Sequence, residues 1–206
     1  MSKIFLLGIV FMVFSKAQAS EAIVTIDSPQ SEILKTKTED IQENELDLAQ
    51  EIADRLIAAL TPFFPAAGLA APQIGIGKSV FIFSYNRDPK NLEIVINPTL
   101  QPVGDEKVEG WESCFSAVLK TGVWECAKLS RYEKIQVNYL NISGEKVEKI
   151  LEGFAAKVFQ HEYDHLQGYV NICRKDAEVK RFENKQEYIT FIQEVKKQDA
   201  ARYTKS

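Results

Sequence analysis

The chain has 206 residues, 45% of them hydrophobic, and a formal net charge of −4. That is enough apolar material for one domain with a real core. Lys and Arg are scattered without a basic run, so no nucleic-acid partner is expected. Three cysteines and no C-x-x-C pair argue against a disulfide scaffold or a cysteine-only zinc site.

An uncharged apolar run, residues 4–14, follows Lys3, and Ala17-Gln18-Ala19 offers a small-x-small cleavage site before Ser20. The run is too short to span a bilayer comfortably but suits the core of a secretory signal. Residues 1–19 are therefore expected to be a signal peptide, and losing Lys3 and Lys16 with it would take the net charge from −4 to −6. No later segment is long and apolar enough to cross a membrane, so no stable span is expected after its removal. Residues 20–43 are polar, contain Pro29, and read as an extended or irregular lead-in.

From residue 44 the pattern turns helical, and residues 44–206 are expected to form the catalytic domain. Asn44 is a plausible N-cap. Leu46, Leu48, Ala49, Ile52, Ala53, Leu56, Ile57 and Leu60 make an apolar stripe, which Thr61-Pro62 ends. A small-residue stretch, residues 66–77, carries one amide side chain, Gln73. Gly77-Lys78-Ser79 resembles the end of a phosphate loop, but Pro72 stands where its first glycine is required and a strand follows, so that reading is rejected. Small residues instead let a ligand or another backbone approach closely.

Strands are predicted over residues 79–85 and 92–98, the second ended by Pro98, and over 134–140 and 146–151, with a turn at residues 141–145 between the last two. Gly153 precedes a helix, apolar on one side, that continues without a break into Gln160-His161-Glu162-Tyr163-Asp164-His165-Leu166. A further helix with apolar spacing at Tyr188, Phe191, Ile192 and Val195 spans residues 184–202. The sum is one α+β domain, mostly antiparallel strands around a central metal-bearing helix.

His161 and His165 are the only two histidines in the chain. Positions i and i+4 share a helix face, so both imidazoles can hold one metal ion, with Glu162 as the general base for a water activated there. Such a site needs a third protein ligand. The cysteines and carboxylates are the candidates; Cys114 lies in Gly110-Trp111-Glu112-Ser113-Cys114-Phe115-Ser116, between predicted strands.

Gly68-Leu69-Ala70-Ala71-Pro72-Gln73, Glu112-x-Cys114-x-Ser116 and His161-Glu162-x-x-His165 closely resemble, in order and spacing, the three motifs of peptide deformylases. The resemblance spans roughly residues 44–172. It implies removal of the N-formyl group from the initiator methionine of polypeptides, with release of formate. It also implies one divalent metal ion, Fe(II) or Zn(II), held by Cys114, His161 and His165. Glu162 would be the proton carrier, and Gln73 with the backbone N–H of Phe115 would stabilise the oxyanion. Gly68, Leu69 and Phe115 would contact the substrate, and Arg131 would pair with a structural Asp164.

Three positions depart from the motifs: Ala66 and Ser113 replace glycines, and Phe115 replaces leucine. The segment 117–128 is longer than usual, and the arginine that commonly lines the cleft is not identifiable there, with Lys120 as a substitute. The expected partners are formyl-methionyl peptides or nascent polypeptides, met by a monomer. Alternative readings are a related amidase or peptidase on another N-acyl peptide, and a formyl-peptide-binding protein of weak activity. The signal points to export, to the periplasm or outside the cell, whereas the family norm is cytoplasmic or organellar. In an exported chain Cys126 and Cys173 could pair.

Overall fold

A computed structural model of the chain describes residues 22–119 and 121–203. The expected signal peptide and Lys120 lie outside those residues. Among the described residues, eight strands form two antiparallel sheets, with three α-helices. The larger sheet has five strands: β1 (Gly68–Ala70), β2 (Val80–Ser84), β3 (Leu92–Pro102), β6 (Lys134–Leu140) and β7 (Lys146–Glu152), in the order β1-β2-β3-β6-β7. The smaller sheet has the order β4-β5-β8, from β4 (Lys107–Val118), β5 (Trp124–Tyr132) and β8 (Glu178–Phe182).

The alternation of side chains along β2 explains the layering. Val80 and Ile82 point to one face, into a core with Ile52, Leu56 and Leu60 of α1 (Leu46–Leu60). Phe81 and Phe83 point to the other, where Phe159 of α2 (Gly153–Leu166) meets both rings edge-on, at centroid distances of 5.0 and 5.5 Å. A strand covered on both faces reads as continuously apolar, and all five residues of β2 are buried. The metal-motif helix is thus pressed against a rigid aromatic layer.

Several expectations are corrected. Asn44 does not cap α1; Glu45 stands at that position without a side-chain cap bond. Its carboxylate instead accepts from the backbone N–H of Gln42 at 2.9 Å and from Lys78 at 3.2 Å. Pro98 does not end β3. The register shifts between Ile96 and Thr99, so the missing N–H of proline falls where no ladder bond is needed. Asn97, at φ 50°, uses its side chain there to bond both backbone groups of Ile41, at 2.8 and 2.9 Å.

Cys114 lies not between strands but within β4. The period-2 signal of β4 and β5 is hidden because their inward positions include Glu112, Ser116 and Arg131, all buried. Cys126 and Cys173 do not pair; both are free thiols, the first buried and the second exposed.

The described part of the lead-in is irregular apart from one 3₁₀ turn (Ser31–Lys35) and a single bridge from Glu39 to Lys78, but it is not a loose arm. Thr38 N–H donates to the carbonyl of Leu166 at 2.9 Å, satisfying an orphan acceptor at the C-terminus of α2. At the next turn Gly168 has φ 81°, and a Cβ there would meet the Lys35 carbonyl oxygen at 2.7 Å. Val24 N–H donates to Gln73 O at 2.8 Å and Ile26 N–H to Ser116 O at 3.0 Å. The lead-in therefore buttresses all three motif segments. The C-terminal helix α3 (Lys185–Tyr203) buries Tyr188 and Val195, on the stripe read from the sequence.

Candidate metal centre and active site

Three chain segments converge on one point. One potential ligand atom each from Cys114, His161 and His165 lies within 4.8 Å of the others, with Cys114 Sγ 3.3 Å from His165 Nε2. Ligands on a tetrahedral ion at about 2.0–2.3 Å are separated by roughly 3.3–3.6 Å, so this donor set fits a divalent ion with one position left open. The third potential ligand lies upstream of the histidines, on β4.

Around the donors lies a charged lattice. Glu112 accepts two bonds from Arg131, Nε to Oε1 and Nη2 to Oε2, both 2.8 Å, and its Oε2 lies 2.9 Å from His161 Nδ1. That contact leaves Nε2 of His161 as the ring atom that could hold an ion, as in carboxylate–histidine metal sites. Arg131 also donates to Asp164 Oδ2 at 2.6 Å, and Arg174 reaches the same oxygen at 2.8 Å. Asn171, buried, donates to the Glu112 carbonyl at 3.0 Å and so fixes β4 beside the cysteine.

Burial would raise the Glu112 carboxyl, but the Arg131 guanidinium and His161 overcome it and hold the acid well below the usual carboxylate range. Burial would likewise discharge His161, yet its bonds to Cys114 and Glu112 outweigh that and keep it well above its ordinary value. His165 is pushed well below its ordinary value by burial and by the charge of His161. Nδ1 of His165 is buried without a hydrogen-bond partner, unlike its counterpart in His161.

Glu162 is different. Its Oε2 is buried and unpartnered, and burial pushes its carboxyl up to about 7, the range of a group that can take and return a proton near neutral pH. Gly68 explains how it fits: a Cβ there would stand 2.5 Å from Glu162 Oε1 and 2.8 Å from its Cδ. The close approach expected of the small-residue stretch is made by the general-base candidate itself. Gln73 is buried in the 3₁₀ turn Ala71–Ile74. Its Oε1 accepts from Ala70 N–H at 2.9 Å, which aims Nε2 at Ser116 Oγ (3.2 Å) and Cys114 Sγ (3.5 Å).

The β4–β5 ladder is irregular between Ser113 and Val118, so Cys114 and Phe115 lie where pairing is interrupted. A cavity of about 250 Å³ opens here, lined by Gly68, Gln73, Cys114, Phe115, His161 and Glu162 among others. Phe115 packs its ring on Phe63 at 5.0 Å. Leu69 does not line it; its side chain is fully buried in the core under α1, so only its backbone can face a ligand. Among the residues with no assigned role in the sequence, Lys157, Arg87, Lys196 and Asp199 line the cavity. The one signal that pointed to them was a lysine on the otherwise apolar side of α2.

A cysteine sulfur and two imidazoles beside a buried carboxylate with an unpartnered oxygen define a metal-dependent hydrolase. The family model described as polypeptide deformylase matches residues 20–181, and the chain belongs to that family. It is 37% identical over 147 residues to a peptide deformylase 2 of Rickettsia conorii, covering 65% of this chain and 68% of that one. A peptide deformylase 2 of Ralstonia nicotianae is 39% identical over 109 residues, covering 50% of this chain and 59% of its own length. The Met-Ala-Ser-bound crystal structure of a class I type b peptide deformylase from Acinetobacter baumannii superposes with a TM-score of 0.65 at 29% identity. It covers 76% of this chain and 99% of that one.

Proposed function

We propose that the protein removes the N-formyl group from the N-terminal methionine of polypeptides, releasing formate and a free amine. The observation that carries this is the convergence of Cys114, His161 and His165 beside the unpartnered Glu162 carboxylate, in a chain of this family. Cys114, His161 and His165 would hold a divalent ion, Fe(II) or Zn(II) given the soft sulfur ligand, which would supply the Lewis acidity that makes water ionisable near neutral pH. Glu162 takes the proton from the attacking water and returns it to the departing amine nitrogen. Gln73 Nε2, aimed by Ala70, and the backbone N–H of Phe115 stabilise the developing oxyanion, each donor worth about 10²–10³ in rate.

β1 is an edge strand, and its backbone at Gly68 and Leu69 offers donors and acceptors for an extended peptide. Glu112 and Arg131 act through His161, by fixing its ring and tautomer. Asp164 is the structural partner that completes the charge balance of Arg131.

The test is formate release from formyl-Met-Ala-Ser by the full chain loaded with Fe(II) or Zn(II). Release is expected, and its loss in Glu162→Ala with metal still bound. No formate from either metal-loaded form overturns the proposal.

A further inference from the structure

The two oxyanion donors assigned above, the Gln73 side chain and the Phe115 backbone N–H, come from segments that no ladder connects. Gln73 follows β1 of the larger sheet, and Phe115 lies on β4 of the smaller one. Among the described residues, no backbone hydrogen bond joins residues 68–77 directly to residues 110–118. Two donors aimed at one atom must nonetheless keep a fixed separation, because a misplacement of about 1 Å costs about 10² in rate.

Ser116 and the lead-in make the missing connection. Ser116 is fully buried, and its Oγ accepts from Gln73 Nε2 at 3.2 Å. Ala70 N–H, which can only donate, holds Gln73 Oε1 at 2.9 Å, so the orientation of the amide is fixed. With one Nε2 hydrogen given to Ser116, the other faces the ligand side, where Cys114 Sγ lies at 3.5 Å. The backbones are bridged as well. Val24 N–H donates to Gln73 O at 2.8 Å, and Ile26 N–H donates to Ser116 O at 3.0 Å. One short stretch of the lead-in thus ties both motif segments together. Val24 is itself buried in a cluster with Leu34, Cys114, Ala117 and Val170, which anchors that stretch against the cysteine.

We propose that Ser116 is a positioning residue for Gln73, and that residues 24–26 act with it as a clasp that sets the distance between the two oxyanion donors. The proposal rests on the deformylase reading and adds to it residues that do not meet the substrate. Ser116 is not on the cavity wall, so it acts only through Gln73. Loss of the clasp lets the amide turn away from the oxygen that gains charge. That charge develops only in the transition state, so the loss falls on kcat rather than on KM.

The experiment is a double-mutant cycle on the metal-loaded full chain with formyl-Met-Ala-Ser. Parent, Ser116→Ala, Gln73→Ala and the double variant are compared, each with its metal content. Ser116→Ala is expected to lower kcat about tenfold, the worth of one hydrogen bond, with KM within about twofold and metal retained. In the Gln73→Ala background the same substitution should cost less than about twofold, because the group it positions is gone. Val24→Pro, which removes the N–H given to Gln73, should show the same dependence on Gln73; if it does not fold, the Ser116 cycle decides alone. An unchanged kcat in Ser116→Ala, a cost equal in both backgrounds, or a loss confined to KM or metal content overturns the proposal. If neither metal-loaded form of the parent releases formate, the activity reading fails by itself. The side-chain amide resonances of Gln73, assigned by their absence in Gln73→Ala, then decide the clasp. They should report an ordered amide in the parent and a mobile one in Ser116→Ala, and signals unaltered by that substitution overturn it.

Discussion

Glu112 is the group on which the organisation of the site depends most, and Glu112→Gln isolates its charge from its shape. The carboxylate holds Arg131 by two 2.8 Å bonds and His161 by one of 2.9 Å, all in a buried setting. The amide keeps the volume but presents an N–H₂ to one of these donors and removes the charge. Arg131 is then left with Asp164, which it shares with Arg174. Removing one partner of a buried pair costs about 3–5 kcal/mol. For a domain of this size that lowers Tm by about 6–20 °C. Losing the carboxylate behind a ligating histidine should also weaken zinc by about 10–100-fold. The folded-state pKa of Glu112 is depressed, so its contribution is present above the unfolded-state value of about 4.3 and is lost as pH falls below it. The Tm gap between parent and variant should therefore be full at pH 7 and shrink below about pH 4. Thermal melts across pH, with zinc affinity from competition against a chromophoric chelator, check both. A variant that melts with the parent at pH 7 and binds zinc within twofold of it would refute the reasoning.

Other outcomes follow from the same geometry. Glu162 has a folded-state pKa raised to about 7 by burial, so in the metal-free protein its favourable contribution is present below pH 4.3 and lost as pH rises through 7. Metal-free Glu162→Gln should accordingly be more stable than the parent at pH 8, by up to about 3 kcal/mol, with the gap closing below about pH 5, as read by denaturant melts. Gly68→Ala places a Cβ 2.5 Å from Glu162 Oε1, and a displacement of about 1 Å at a catalytic group costs about 10² in kcat/KM, measured with metal content unchanged. Gly168→Ala, strained at φ 81° and against the Lys35 carbonyl, should destabilise by about 1–3 kcal/mol in a thermal melt. Zinc uptake by the apo protein should displace the proton that His161 holds, seen as a buffer-dependent heat, and should weaken as pH falls, starting above pH 6.5 because the His161 value is raised.

The sequence alone determined the chemistry that is local. Two histidines four apart on a helix must share a face, the glutamate between them must lie close by, and continuous apolar strands must be covered on both sides. For that reason α2 and β2 could be read directly, and β6 and β7 from their alternation and the turn between them. What tertiary structure decided is everything that depends on which side of a strand a polar residue faces. β4 and β5 look unlike strands because their inward positions hold Glu112, Ser116 and Arg131, whose partners are one another across the two strands, Gln73 of the 3₁₀ turn, and His161 and Asp164 of α2. Nothing local shows that the polar lead-in caps α2 and steadies Gln73, or that Gly68 is small so that Glu162 can be buried against it. The lysine on the apolar side of α2 could be seen in the sequence. Its meaning came only when α3 brought Asp199 to it, because charge balance in a cavity is set by residues that meet in space.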